Sequence, residues 1–271
     1  MNIRDNKFLL SVLLGLLTLT SFSFAFEAPE LITDRPDQTE SSATVPTGYA
    51  QIEMGWQHLE EERADLETDI LPQTLLRYGL VENLEFRLGF DGYTWENAVG
   101  PEAGAVDAEG AGDLNVGFKL KLREEESWLP ETALVTTVGL PTGKGPISSE
   151  RFDPEYRLAF AHTLSERLSF GYNLGQAWAT DEDAAGDRDT RHQLFYSAAL
   201  GISLTDNLGG FVEFFGEIPT GSDAGPANSF DGGFTYLISD NIQLDLSSGV
   251  GLSEDADDWF LAAGLTIRLP Q

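Results

Sequence analysis

The chain has 271 residues, with 16 Lys and Arg against 45 Asp and Glu, a formal net charge of −29, and no cysteine. That surplus of acid excludes a nucleic-acid partner, because phosphate binding needs clustered cations; the missing cysteine excludes a disulfide scaffold, a thiolate metal site and a cysteine nucleophile. Hydrophobic residues at 41% and a mean hydropathy of −0.17 fit neither a helical membrane protein nor a disordered acidic chain.

Arg4 and Lys7 precede an apolar run from Phe8 to Leu19, and Ser23 and Ala25 place small residues three and one before a cleavage point. Residues 1–25 therefore read as a signal peptide for Sec export, and the apolar run is too short to span a bilayer as a helix. Residues 26–46 carry Asp34, Arg35 and Asp37 among several prolines, a composition against strand formation. Two placements follow for this segment: in the periplasm, or folded into a lumen as a plug.

Residues 47–271 alternate with period two. In 113–122, Leu114, Val116, Phe118, Leu120 and Leu122 oppose Asp113, Asn115, Gly117, Lys119 and Lys121, giving a strand with one greasy and one wet side. The spacing predicts twelve strands near 48–59, 69–78, 84–95, 113–123, 131–141, 154–164, 168–179, 191–204, 208–218, 229–238, 242–252 and 259–269. Each is close to the length a tilted strand needs to cross a membrane, and an even number closes a bacterial barrel. Junctions alternate as well. Short ones such as Glu82-Asn83, Glu166-Arg167, Asp206-Asn207 and Asp240-Asn241 have hairpin chemistry, whereas those near 60–68, 96–112, 142–153, 180–190, 219–228 and 253–258 are mostly longer and acidic. Short turns on the periplasmic side and long loops outside are the asymmetry of an outer-membrane barrel. A soluble sandwich also alternates, but here the non-greasy face is rich in Gly, Ala, Ser and Thr, which suits a wet lumen. Trp56, Tyr156, Trp178 and Trp259 at the loop side and Tyr78 and Tyr236 at the turn side read as two interfacial girdles. The reading is a 12-stranded antiparallel transmembrane β-barrel of the bacterial outer membrane, in contact with outer-membrane lipid and lipopolysaccharide and inserted by the barrel-assembly machinery.

The segment Leu31-Ile32-Thr33-Asp34-Arg35-Pro36-Asp37-Gln38-Thr39-Glu40-Ser41, leading through Val45-Pro46-Thr47-Gly48 to Gln51-Ile52-Glu53, resembles the opening of a Gram-negative outer-membrane family. That family is described as "putative meta-pathway of phenol degradation" and also labelled "transporter". Leu75-Leu76-Arg77-Tyr78-Gly79-Leu80, Gly112-Asp113-Leu114, Leu140-Pro141-Thr142-Gly143, Gly171-Tyr172-Asn173-Leu174-Gly175 and Ala256-Asp257-Asp258-Trp259-Phe260 match it in order. The resemblance implies a barrel moving small solutes, aromatic or hydrophobic ones among them, and no catalytic residues. One departure is the end, Ile267-Arg268-Leu269-Pro270-Gln271, where such barrels commonly finish on an aromatic residue.

Catalysis has little support. His58, His162 and His192 are scattered, and a lipid-facing pair of His162 with Ser165 has no third orienting residue. The acidic loops could attract cations but lack an EF-hand spacing, and no metal or cofactor is expected. The lumen is the candidate site: Glu53, Arg77, Glu85, Arg87, Asp91, Asp113, Lys119, Lys121 and Arg157 fall on the inward phase of the first six strands. The second half reads as quieter, with Ser169, Asn173, Ser197, Glu213, Asp231, Asp245 and Arg268 inward. Asp34, Arg35 and Asp37 are expected to fold into the periplasmic mouth, the aspartates against Arg77, Arg87 and Lys119, and Arg35 against Glu53 and Glu85. The competing function is a structural or adhesive membrane protein with a closed lumen and acidic outer loops.

Overall fold

The structure, a computed structural model, describes residues 29–62, 65–98, 108–182, 188–220 and 225–269. The signal peptide expected at 1–25 and the acidic loop residues 183–187 lie outside the described residues. The strands are β1 (Ala50–Glu61), β2 (Leu66–Val81), β3 (Leu84–Phe90), β4 (Tyr93–Ala98), β5 (Ala108–Ala111), β6 (Leu114–Arg123), β7 (Glu131–Leu140), β8 (Asp153–Ser165), β9 (Leu168–Glu182), β10 (Arg188–Ser203), β11 (Leu208–Thr220), β12 (Ala227–Ser239), β13 (Ile242–Gly251) and β14 (Trp259–Leu269). β3 and β4 both pair with β2, while β6 pairs with β3 and β5 with β4. The fourteen segments therefore form twelve antiparallel staves, and β1 closes the barrel by pairing with both β14 and β2.

Two staves are broken, one inside the strand read at 84–95 and one where β5 adds residues read as part of the 96–112 loop. The first break is at Asp91-Gly92, where Gly92 takes φ 100°, a conformation open to glycine. The second is at Gly112-Asp113, beside it in the barrel wall, where Gly112 N–H donates to Gly92 O at 2.7 Å. A third irregularity shifts the β1–β2 register between Gly55 and Gln57, opposite Leu71-Pro72. Proline has no N–H for the ladder, so a bulge accommodates it. The short turns keep their hairpin chemistry, with Asn83 in the left-handed region at φ 65°.

Burial is inverted relative to a soluble protein. Phe118 is 45% exposed and Phe234 57%, with Leu174, Leu244, Leu246 and Ile238 similarly open. Arg77, by contrast, is 0% exposed and Glu53 1%, and Glu85, Lys119, Gln51 and Arg268 are equally hidden. Burying charge is tolerable only where it is paired, and exposing a continuous apolar band only in lipid. The aromatic girdles form as expected: Tyr156 and Trp178 lie 5.9 Å apart at the loop side, and Tyr78 and Tyr236 are exposed at the turn side.

Candidate functional site: the plugged lumen

Residues 29–46 run inside the barrel. Prolines and alternating charge deny this stretch a regular ladder, so its backbone groups are satisfied by the wall instead. Arg268 on β14 donates to the carbonyls of Pro29 at 2.5 Å and Glu30 at 2.9 Å, fixing the segment at the short-turn end. Gln38 N–H donates to Glu213 at 2.7 Å, and Thr39 Oγ1 donates to Glu213 while accepting from the Ser197 hydroxyl. Glu40 N–H donates to Asn173, which returns a bond to Glu40 O. Val45 N–H donates to Glu85 at 2.8 Å where the chain descends to β1.

Asp34 is the centre of the first wall. Its carboxylate meets Arg87 Nη1 at 2.6 Å, Lys119 Nζ at 2.8 Å and Arg77 Nη1 at 3.2 Å. Arg77 also binds Glu53 at 2.9 Å and Glu85 at 2.8 Å, and Arg87 reaches Glu40 at 3.0 Å. These three cations come from three staves, and the plug supplies two of the four acids that face them. Burial opposes ionisation of Asp34, yet Arg77, Lys119 and Arg87 together hold its carboxyl well below the usual carboxylate range.

Arg35 departs from expectation. Glu53 and Glu85 are engaged by Arg77, and Arg35 turns the other way along the wall, past β1 and β14, to bind Asp245 on β13 at 3.1 Å. Asp245, Gly264 and Gly55 are consecutive across β13, β14 and β1. A Cβ on Gly55 would stand 2.2 Å from Arg35 Nη1, and one on Gly264 would stand 2.4 Å from Arg35 Nε. The glycine pair is thus a slot that admits the guanidinium. Asp37 faces the same side, and burial, then Glu213 and Asp231, push its carboxyl well above the usual range.

Arg157 also meets the plug: it donates to Gln38 O at 3.1 Å and lies 4.0 Å from Glu40, while stacking over Phe195 at 4.5 Å and binding Glu155 at 3.0 Å. Two other sequence-derived residues separate. Lys121 lies towards the turn end with Glu124 and Glu131, each at 3.1 Å. Asp113 does not join the lumenal network: it accepts from Thr142, Gly143 and Ser149 N–H and from Ser148 Oγ, and so ties down loop 141–152. His162 and Ser165 are not a pair, since His162 faces Glu125 at 3.7 Å and Ser165 Oγ accepts from Arg167 N–H. Sequence reasoning missed the weight of Glu40, Glu213 and Asp245 as plug partners, although the last two lay on the inward phase.

Two cavities meet at the plug. The loop-side one, ≈ 560 Å³, is bordered by Gln57, Ile70, Gln73, Phe90, Asn115 and Phe260; the turn-side one, ≈ 300 Å³, by Thr205, Asn207, Phe211 and Gln243. Arg35, Pro36 and Asp37 border both. They are the partition.

A search of curated proteins finds no match to the chain. Among solved structures, the COG4313 outer membrane channel from Pseudomonas putida F1 is 17% identical with a TM-score of 0.65, over 83% of this chain and 97% of that one. The NanC porin is 8% identical with a TM-score of 0.54, over 81% of this chain and 100% of that one. The KdgM porin in complex with disordered oligogalacturonate is 9% identical with a TM-score of 0.50, over 79% and 98%. At such identities the likeness is one of fold, and the fold is that of outer-membrane barrels. A family model spans residues 33–269, from the plug through the last strand, and the chain belongs to the family described as "Putative MetA-pathway of phenol degradation".

Proposed function

We propose that the protein is an outer-membrane channel for small solutes, aromatic ones among them, whose lumen is closed at rest by its own residues 29–46. The observation that carries this reading is the pair of cavities, one from each end, that stop at the same three plug residues. A solute crosses when Arg35–Asp37 moves aside, along a wall that includes Asp34, Glu53, Arg87 and Arg157. The loop-side cavity supports the solute class. Its size falls within the usual ligand-pocket range, and it sets Phe90, Phe260, Ile70 and Leu75 beside the amides of Gln57, Gln73 and Asn115. Apolar faces beside amides and the charged side chains of Arg87, Asp91 and Arg157 suit one aromatic ring with a polar substituent, and the phenol in the family description belongs to that class.

The same reading includes Sec export with cleavage after Ala25, insertion by the barrel-assembly machinery, and lipopolysaccharide around the loop-side girdle. Its activity is transport rather than catalysis. Purified protein in planar bilayers tests it against a variant lacking residues 27–44. The deletion should raise single-channel conductance several-fold and speed phenol uptake into proteoliposomes. Equal conductance would make the segment a tail without a gating role. No current from either protein would favour the structural or adhesive reading.

A further inference from the structure

The wall of β11–β13 holds three buried carboxylates, Glu213, Asp231 and Asp245, and the cation that reaches it is Arg35, bound to Asp245. Glu213 and Asp231 are direct cross-strand partners, both facing the lumen and each 1% exposed. Partners in such a pair have Cβ atoms about 4.5–5.5 Å apart, so the two carboxyl groups confront each other. Glu213 is satisfied by the plug, through Gln38 N–H and Thr39 Oγ1. Asp231 is not: neither of its oxygens meets a donor. Its other flank is Gly249, and beyond Glu213 lies Ala199, neither of which carries a donor side chain.

We propose that Glu213 and Asp231 bind one proton between them, and that this shared proton latches the N-terminal plug against β11 and β12. Two confronted buried carboxylates with no other donor between them are relieved by one shared proton. With the proton on Asp231, its O–H donates to Glu213, and Glu213 keeps its remaining lone pairs for the plug. When the proton leaves to lumenal water, two anions face each other without an intervening donor, and one of them is the acceptor that holds Gln38 and Thr39.

The charged groups around the pair reinforce this direction. The plug presents Asp37, itself pushed upward by burial and by the same two carboxylates, while its Arg35 is engaged elsewhere. β13 presents Asp245 and Ser247, whereas β10 offers Ser197 and Ala199 and β14 offers Phe260. Deprotonation therefore disfavours ionisation of Asp37 further, with no free cation among these groups to absorb the added charge. The latch holds at neutral pH and releases in alkali.

This inference rests on the channel reading for its electrical readout, so the test has a second arm. Full-length mature protein in planar bilayers should show open probability rising from neutral into alkaline pH. Asp231→Asn should abolish that rise, because an amide donates to Glu213 without titrating; Glu213→Gln serves the same purpose should the first variant not fold. Infrared difference spectra of wild type minus Asp231→Asn should show one protonated-carboxyl C=O band at neutral pH that disappears on the same alkaline titration. A missing band, or a pH response that survives both substitutions, overturns the proposal. If no protein conducts at any pH, the channel reading fails, and the infrared band alone decides whether the proton is there.

Discussion

Replacing Asp34 with alanine removes the plug carboxylate that Arg77, Arg87 and Lys119 share. It abolishes the contacts to Arg87 at 2.6 Å, Lys119 at 2.8 Å and Arg77 at 3.2 Å, and the two bonds Asp34 accepts from Ser41. Breaking a buried ion pair from one side costs ~3–5 kcal/mol. The lower end applies here, because Glu53, Glu85 and Glu40 still face the three cations. A loss of about 3 kcal/mol in plug docking corresponds to roughly hundredfold faster exchange through local opening. Hydrogen exchange followed by mass spectrometry should show this for the amides of Gln38, Glu40 and Val45, while the amides of the β9–β10 ladder keep their protection. The pH dependence has a definite sign. The carboxyl of Asp34 is lowered in the docked state, so its contribution is complete above the ordinary carboxylate pKa of ~3.9 and is lost as pH falls through the docked value. The variant should lack that acid sensitivity. Unchanged exchange in the variant at neutral pH would refute the argument, because it would mean that backbone docking to Glu213, Asn173 and Glu85 holds the plug without Asp34.

Other consequences are independent of that one. Phe118→Arg places a charge on the lipid face and should cost ~2–4 kcal/mol in unfolding measured in lipid, whereas Asn115→Arg on the cavity wall should cost little; equal costs would reverse the assigned facing. Gly264→Ala should expel Arg35 from its slot and raise conductance, and it should do so without effect in a background lacking residues 27–44. Trypsin added to intact cells should cut at exposed Lys144 or Arg151 on the loop side and spare Arg167 in its short turn, so cleavage at Arg167 alone would invert the topology. Asp113→Ala should loosen loop 141–152, seen as faster trypsin cleavage at Arg151, and should leave plug exchange rates unchanged.

Much of this molecule is decided locally. Alternation in a strand depends only on neighbours two residues apart, so Leu114 to Leu122 against Asp113 to Lys121 already separates lipid from lumen. Turn chemistry at Asn83 and its counterparts is equally local, and with the alternation it determines stave number, order and closure. The inward phase of Glu53, Arg77, Glu85, Arg87 and Lys119 was legible for the same reason, as was the attraction of Asp34 to Arg77, Arg87 and Lys119. Which charge meets which across the barrel is a different matter. Arg35 chooses Asp245 over Glu53 because Arg77 occupies the nearer carboxylates and because Gly55 and Gly264, 209 residues apart in the chain, come into register as an empty slot. Asp113 has the phase of a lumenal charge, yet a broken stave turns it to four donors of a loop nearly thirty residues or more downstream. The apposition of Glu213 with Asp231 likewise exists only once the β11–β12 register is set. Periodicity assigns a face to each residue, but pairing depends on distances across the closed barrel, and only the tertiary structure supplies those.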